Sequence, residues 1–107
     1  MIKRNQKIEL TEETLCDVFN LLKKHVFGFQ EIWKRDPSMG IETIYFEQPI
    51  QININQLTIT ITSGKNTVIC LKEGDIVKYH GGNTVYVWKK CTTDIFRFYK
   101  IKGKYKK

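Results

Sequence analysis

A change in the spacing of apolar residues, from three or four positions to two, most constrains how this chain can fold. Between residues 15 and 33 the apolar side chains recur every three or four positions, whereas from residue 41 onward they alternate with polar ones. A helix places residues three or four apart on one face, and a strand places every second residue on one face. The two periods in succession therefore predict an α+β domain.

The N-terminal third predicts one long amphipathic helix. Thr11 is suited to cap a first turn that carries Glu12 and Glu13, because acidic groups stabilise a helix N-terminus. We expect the helix to end near Asp36, because the residue before a proline avoids the helical conformation. The apolar stripe along this helix consists of Leu15, Val18, Phe19, Leu22, Val26, Phe29 and Trp33.

The remaining two thirds predict five or six short antiparallel strands with glycine-containing turns between them. The apolar phase slips by one residue between Ile54 and Leu57, which indicates a bulge or tight turn at Asn55-Gln56. Further strands are expected at 41–48, 67–72, 76–80, 84–89 and 94–101. Such a pattern is typical of a curled or barrel-like sheet, against which the helix would pack. Residues 1–107 would then form a single domain with a basic tail at 102–107.

Composition and cysteine usage exclude several classes of protein. The chain has 107 residues, 41% of them apolar and 27% charged, which suits one soluble domain. No apolar run approaches the roughly 18 residues that a membrane span needs, and no apolar stretch follows the basic N-terminus, so we expect neither membrane insertion nor a signal peptide. Three cysteines without a CxxC pair predict free thiols and a cytoplasmic location.

No catalytic, metal or cofactor signature stands out in the sequence. The only histidines, His25 and His80, lack metal-ligand spacing to any cysteine, and neither a P-loop nor a GxGxxG motif is present. We therefore expect a protein that is not an enzyme and that binds no cofactor. A small nuclease that uses His80 stays open as a weaker alternative.

The net charge lies at one end of the chain. The whole protein carries a formal charge of +7, and residues 1–88 contain ten basic and ten acidic side chains. Residues 89–107 contain eight basic side chains and one acid, Asp94, so they account for all of the excess. Seven of the thirteen aromatic residues also lie from Tyr79 onward. Lysine and arginine neutralise phosphates, and aromatic rings stack on unpaired bases.

Alternation within the last two strands predicts which side chains share a surface. If Val85 and Val87 face inward, Tyr86 and Trp88 on the same strand face outward. The same alternation in the final strand would place Arg97 and Tyr99 on the outer face. We therefore expect a surface for nucleic acid, single-stranded in preference to duplex, or for an acidic protein. The predicted binding residues are Lys89, Lys90, Arg97, Lys100, Lys102, Lys104, Tyr86, Trp88 and Tyr99.

The segment Glu73-Gly74-Asp75-Ile76-Val77-Lys78-Tyr79 resembles the EGDIVKY segment common in YopX-like phage proteins. The resemblance covers these seven residues, implies a small, often phage-borne, β-barrel-like fold and transfers no functional residue. The chain also contains 15 Lys, 14 Ile and no Ala, a bias expected of AT-rich coding DNA. Together they favour a small phage or mobile-element protein.

Two further partners remain open at this point. The basic surface would also fit an inhibitor of a host defence or replication complex, because positive charge steers association with an acidic protein surface. The polar row along residues 50–62 would allow two copies to pair edge to edge as a homodimer. This row consists of Gln51, Asn53, Thr58, Thr60 and Thr62.

Overall fold

The strands of this protein form two antiparallel sheets, and one short helix packs against them. The computed structural model describes residues 5–28, 30–36, 38, 40–45, 49–82 and 84–100. Within these residues there are one helix and nine strands. The helix is α1 (Leu15–His25), and the strands are β1 (Lys7–Glu9), β2 (Gln30–Asp36), β3 (Gly40–Tyr45), β4 (Ile50–Asn55), β5 (Thr58–Ser63), β6 (Asn66–Leu71), β7 (Ile76–Gly81), β8 (Thr84–Trp88) and β9 (Ile95–Lys100).

The larger sheet has six strands in the order β1-β7-β8-β9-β2-β3, and the smaller has three in the order β4-β5-β6. Neither sheet is closed or curled, since β1 and β3 lie at opposite edges of the larger one. The α+β class is confirmed, whereas the expected single curled or barrel-like sheet of five or six strands is wrong. The reason is that β4, β5 and β6 pair with one another and form a second sheet.

The helix is much shorter than the sequence predicts, with 11 residues. It begins after Thr14, and the Thr11 hydroxyl accepts a hydrogen bond from the backbone N–H of Thr14 in the turn before the helix. Helical geometry ends at Val26, whose backbone is extended, and Gly28 follows with a positive φ of 64°. A positive φ is accessible to glycine at little cost, so the chain turns out of the helix here.

Residues 30–36 form β2 instead of continuing the helix, which corrects the prediction for Trp33. This strand pairs with β3 on one side and with β9 on the other. Its period is two, since Ile32 is fully buried and Trp33 lies on the opposite face. The spacing from Val26 to Trp33 fits a helix by sequence alone, but strand pairing on both sides decides the outcome.

Beyond residue 40 the predicted strands and turns are largely confirmed. A tight turn at Gln56-Leu57, one residue after the expected Asn55-Gln56, joins β4 to β5, and Gln56 has a positive φ of 53°. The register sets Ile52 opposite Ile61 and Ile54 opposite Ile59, which places both apolar sets on one face. Residues 46–48, 101 and the tail 102–107 lie outside the described residues.

In the segment 50–62, which was expected to pair with a second copy, only β4 lies at the edge of a sheet. The row of threonines lies on β5, which occupies the centre of the smaller sheet between β4 and β6. The backbone N–H of Ile50 on β4 donates to the carbonyl of Gly28 at 2.8 Å, so one end of this edge is covered. A homodimer through the rest of β4 stays a prediction.

One hydrophobic core joins both sheets and the helix. The helix contributes Val18, Leu21 and Leu22, which are spaced so that they lie on one face. The other buried members are Leu10, Val26, Ile32, Ile50, Ile59, Ile61, Ile69, Leu71, Val77, Val85, Val87, Phe96 and Phe98. The smaller sheet and the helix therefore cover the same face of the larger sheet, and the opposite face remains outside the core.

A buried carboxylate, Asp75, fixes the corner where the chain passes from β6 to β7. Its side chain is 2% exposed and forms an ion pair with the ammonium of Lys89, which also donates to the carbonyl of Cys70 at 2.5 Å. The carboxylate also accepts from the backbone N–H groups of Lys72 and Lys90, each at 2.8 Å. These bonds join the end of β6 to the segment that follows β8.

The glycine before this carboxylate is required by the same corner. Gly74 has a φ of 96°, and its N–H donates to the carbonyl of Leu10 at 2.9 Å. A Cβ atom on Gly74 would lie 2.6 Å from the Cδ of Lys90. The Gly74-Asp75 pair within the YopX-like segment therefore has a structural role in this chain, since it turns the backbone and buries the carboxylate.

Replacing Asp75 with alanine should lower the free energy of unfolding by about 3–5 kcal/mol, because Lys89 would remain buried without its partner. Urea unfolding monitored by circular dichroism measures the loss. The double variant Asp75→Ala/Lys89→Met should recover part of it, since no unpaired charge remains inside. Asp17→Asn, an exposed carboxylate of α1, is the matched control. Equal losses for Asp75→Ala and Asp17→Asn would contradict a structural role for the pair.

Candidate functional site

The face of the larger sheet that points away from the core carries aromatic and cationic side chains. Val85, Val87 and Phe98 are fully buried on the inner face, and Phe96 is 6% exposed. The residues between them point outward, which is the arrangement that the alternation predicts. Four of the predicted binding residues therefore share one surface: Tyr86, Trp88, Arg97 and Tyr99.

Cross-strand register extends this surface over five of the six strands. Arg97 on β9 lies between Tyr86 on β8 and Trp33 on β2. On the other side of Tyr86 follows Lys78 on β7, and then Lys7 on β1. We call the following set the aromatic–cationic face: Lys7, Trp33, Lys78, Tyr86, Trp88, Arg97 and Tyr99.

The cations of this face lie over its aromatic rings. The guanidinium of Arg97 is 4.6 Å from the ring centroid of Trp33 and 4.8 Å from that of Tyr99. The ammonium of Lys78 lies 5.1 Å from the Tyr86 ring. These distances are within the roughly 6 Å at which a cation is attracted to a ring. Each ring therefore has a cation at its face or edge, and the two kinds of side chain alternate from Lys78 on β7 to Trp33 on β2.

The two lysines on β1 and β7 lie next to each other. Lys7 and Lys78 are direct cross-strand partners, and the ammonium of Lys7 lies 4.8 Å from the ring of Trp88. Like charges directly opposite each other destabilise a sheet. Among the described residues, neither lysine forms an ion pair with a carboxylate, and nor does Arg97. These three cations therefore have no ion pair, although Glu31, whose carboxylate accepts from the hydroxyl of Tyr99, and Glu9 on β1 lie on the same side of the sheet.

A shallow depression of about 390 Å³ lies within the face. Ile95 lies in one cross-strand row between Trp88 and Arg35, so an aliphatic side chain is flanked by two larger ones. The other residues that line the depression are aromatic, cationic or aliphatic: Trp33, Tyr86, Arg97 and Ile41. The depression suits a flat ring with an anionic group.

Not every predicted binding residue belongs to the face. Lys89 is 13% exposed and pairs with Asp75, so its charge serves the fold. The backbone N–H of Lys90 also donates to Asp75, and its side chain packs beside Gly74. Lys100 ends β9, where only its backbone is described. Lys102 and Lys104 lie outside the described residues.

Sequence reasoning missed three members of the face. Trp33 was assigned to the helix, and Lys7 and Lys78 lie in the part of the chain whose charges sum to zero. The available signal was the alternation in Glu31-Ile32-Trp33 and in Val77-Lys78, which is visible once these segments are treated as strands. Counting charge along the chain therefore misses a basic surface whose residues come from strands near both ends of the sequence.

The histidines, cysteines and acidic side chains of the described residues do not cluster. The described part of the chain contains no group of three or more histidine, cysteine or acidic side chains placed to hold a metal ion. His80 is exposed, and its ring lies edge-on to Tyr86 at 5.5 Å. All three cysteines are free thiols, as predicted. Within the same residues, no helix has the length and apolarity needed to cross a membrane.

No protein-family model, curated protein or solved structure matches this chain. The resemblance of residues 73–79 to YopX-like phage proteins therefore remains an expectation from seven residues.

Unneutralised cations on one face should make stability depend on salt. Raising the ionic strength from low to physiological should raise the melting temperature by about 1–3 °C, because salt screens the repulsion between Lys7 and Lys78. Lys78→Gln should show a smaller rise than Lys24→Gln, which removes an exposed lysine of α1 on the other side of the sheet. Differential scanning calorimetry checks this. An identical salt response in the two variants would refute the predicted repulsion.

Proposed function

We propose that this protein binds single-stranded nucleic acid, without catalysing a reaction, through the aromatic–cationic face. The observation that carries the proposal is the row Lys7, Lys78, Tyr86, Arg97 and Trp33, in which three cations without an ion pair and two aromatic rings lie side by side across five strands. It extends the surface expected from the C-terminal residues to β1, β7 and β2.

Each type of side chain in the face supplies a separate part of the affinity. Lysine and arginine that neutralise phosphates release condensed counterions, which gives affinity without regard to sequence. Aromatic rings stack on unpaired bases, and each stacked base contributes roughly 1–3 kcal/mol. A cation beside each ring allows one nucleotide to meet both groups at once, its base on the ring and its phosphate on the charge.

The shape of the face favours a single strand over a duplex. Neighbouring strands lie about 4.8 Å apart, so the row from β1 to β2 spans about 19 Å. A duplex groove accepts a helix or a two-stranded ribbon, whereas this surface is one side of a six-stranded sheet. Bases that are already unpaired can lie flat on such a surface, but paired bases cannot reach its rings.

An acidic protein surface would also be attracted to these cations, and this is the competing function. Charge alone does not separate the two partners. The rings do favour nucleic acid, because Arg97 is held between Trp33 and Tyr99 in a position where a stacked base and a phosphate would meet. The experiment that follows therefore distinguishes nucleic acid from an acidic protein as the partner.

Fluorescence anisotropy with labelled single-stranded DNA, single-stranded RNA and duplex, each over a range of salt concentration, tests the proposal. The wild type should prefer single strands and lose affinity steeply with salt. The double variant Lys78→Gln/Arg97→Gln should give a slope of log affinity against log salt that is shallower by about 1.4, since each phosphate contact to a single strand contributes about 0.7.

The matched control removes the same charge from elsewhere. Lys24→Gln/Lys65→Gln alters an exposed helix residue and an exposed turn residue, neither of them on the face, and should leave the slope unchanged. No binding of the wild type at low salt would overturn the proposal and leave the face to an acidic protein partner. Equal effects of the two double variants would mean that nucleic acid binds by net charge and not at this face.

A further inference from the structure

One edge of the smaller sheet, formed by β4, carries backbone groups that are oriented to pair with another strand. Ile50 donates its N–H to the carbonyl of Gly28, which lies on the side of β4 away from β5. Because the N–H and C=O groups of alternate residues point to the same side of a strand, those of Ile52 and Ile54 point to this side too. In the described part of the chain, no backbone group bonds to them. A strand placed beside β4 would therefore form hydrogen bonds with both residues.

β4 lacks the features that protect an exposed edge from pairing. Such edges are commonly blocked by a lysine, a proline, an inward-pointing charge or a bulge. Residues 50–55 contain no charged residue and no proline, and their register with β5 is unbroken. By contrast, β1 is three residues long and carries Lys7 and Glu9. At β6, on the other edge of the smaller sheet, the carbonyl of Cys70 accepts from the ammonium of Lys89.

Apolar side chains beside this edge are only partly covered. Ile54 is 40% exposed, and Phe27 at the end of the helix is 38% exposed. A groove of about 350 Å³ lies between β4 and the end of the helix, and Val26, Phe27 and Ile52 line it. Ile52 and Ile54 share the face that packs on the core, because both lie opposite fully buried residues of β5. A neighbouring strand with apolar side chains on that face would bury them.

We propose that β4 of a second copy of this chain pairs with this edge, antiparallel and related by a two-fold axis. Such an interface is self-complementary, because each copy presents the same edge to the other. A strand that fits must place apolar residues on the core side and uncharged polar residues on the other side. β4 itself meets both needs, because isoleucine alternates with glutamine or asparagine along it.

Charge also favours a second copy at this edge. Neither of the two paired strands would carry a charge, so no like charges are set opposite each other. The two smaller sheets would become one continuous sheet. The aromatic–cationic face belongs to the larger sheet and is left uncovered, so the pairing does not depend on nucleic acid.

Sedimentation velocity of the wild type, without nucleic acid and over a range of micromolar concentrations, measures the pairing. The mass should rise with concentration from 12.7 kDa toward twice that value. Ile54→Lys should weaken dimerisation by at least about tenfold, because it buries a charge without a partner in the interface. The matched control is Thr67→Lys, which adds the same charge at an exposed position of β6, on the opposite edge of the same sheet. It should leave the dimer unchanged.

Ile54→Pro gives a second measurement, in case Ile54→Lys does not fold. The proline removes the N–H that points to the edge and none that bonds to β5, so it should weaken the dimer and leave the circular dichroism spectrum unchanged. A wild type that stays monomeric over the whole range would overturn the proposal and leave the edge of β4 to a different chain. A dimer that persists in both Ile54 variants, or that Thr67→Lys weakens equally, would overturn it as well, because the two copies would then meet elsewhere.

Discussion

The buried ion pair between Asp75 and Lys89 fixes how the two sheets are joined, and the position of the outer face follows from it. The pair connects the end of β6, the start of β7 and the segment after β8, so the smaller sheet is held over the inner face of the larger one. With the core on that side, the opposite face of β1, β7, β8, β9 and β2 is left to carry side chains for contact. A lysine that sequence reasoning assigned to binding is thereby used to stabilise the fold.

Parts of the fold that depend on neighbouring residues can be predicted from the sequence, whereas parts that depend on pairing with distant strands cannot. The turn between β4 and β5 and the alternating strands after residue 40 depend on neighbouring residues. The sequence predicts the strands with small differences at their ends and places the turn at Asn55-Gln56, one residue before the observed Gln56-Leu57. The strand at 30–36 depends on pairing with β3 and β9, one of which is more than fifty residues away in sequence. Its apolar spacing fits a helix equally well, so only tertiary pairing distinguishes the two. The division into two sheets has the same long-range origin.

The candidate site shows the same limit. Alternation within β8 and β9 identified Tyr86, Trp88, Arg97 and Tyr99, because these strands are adjacent in sequence and in space. Lys7, Trp33 and Lys78 could not be grouped with them until the strand order was known. The charge count along the chain pointed to the C-terminal end, whereas two of the cations come from strands in the neutral part. Strand order and register decide which side chains share one face of a sheet, and the positions of the residues in the sequence do not show this.

The position of a bound nucleic-acid strand on the aromatic–cationic face, as proposed above, can be measured directly. Ultraviolet crosslinking of an oligomer that carries 5-iodouracil, followed by mass spectrometry of the crosslinked peptides, locates the strand directly. We expect crosslinks to the rings of Trp33, Tyr86 or Trp88, and their loss when Arg97 is replaced by glutamine. Crosslinks confined to the smaller sheet or to residues 101–107 would contradict it, since the strand would then bind elsewhere on the protein.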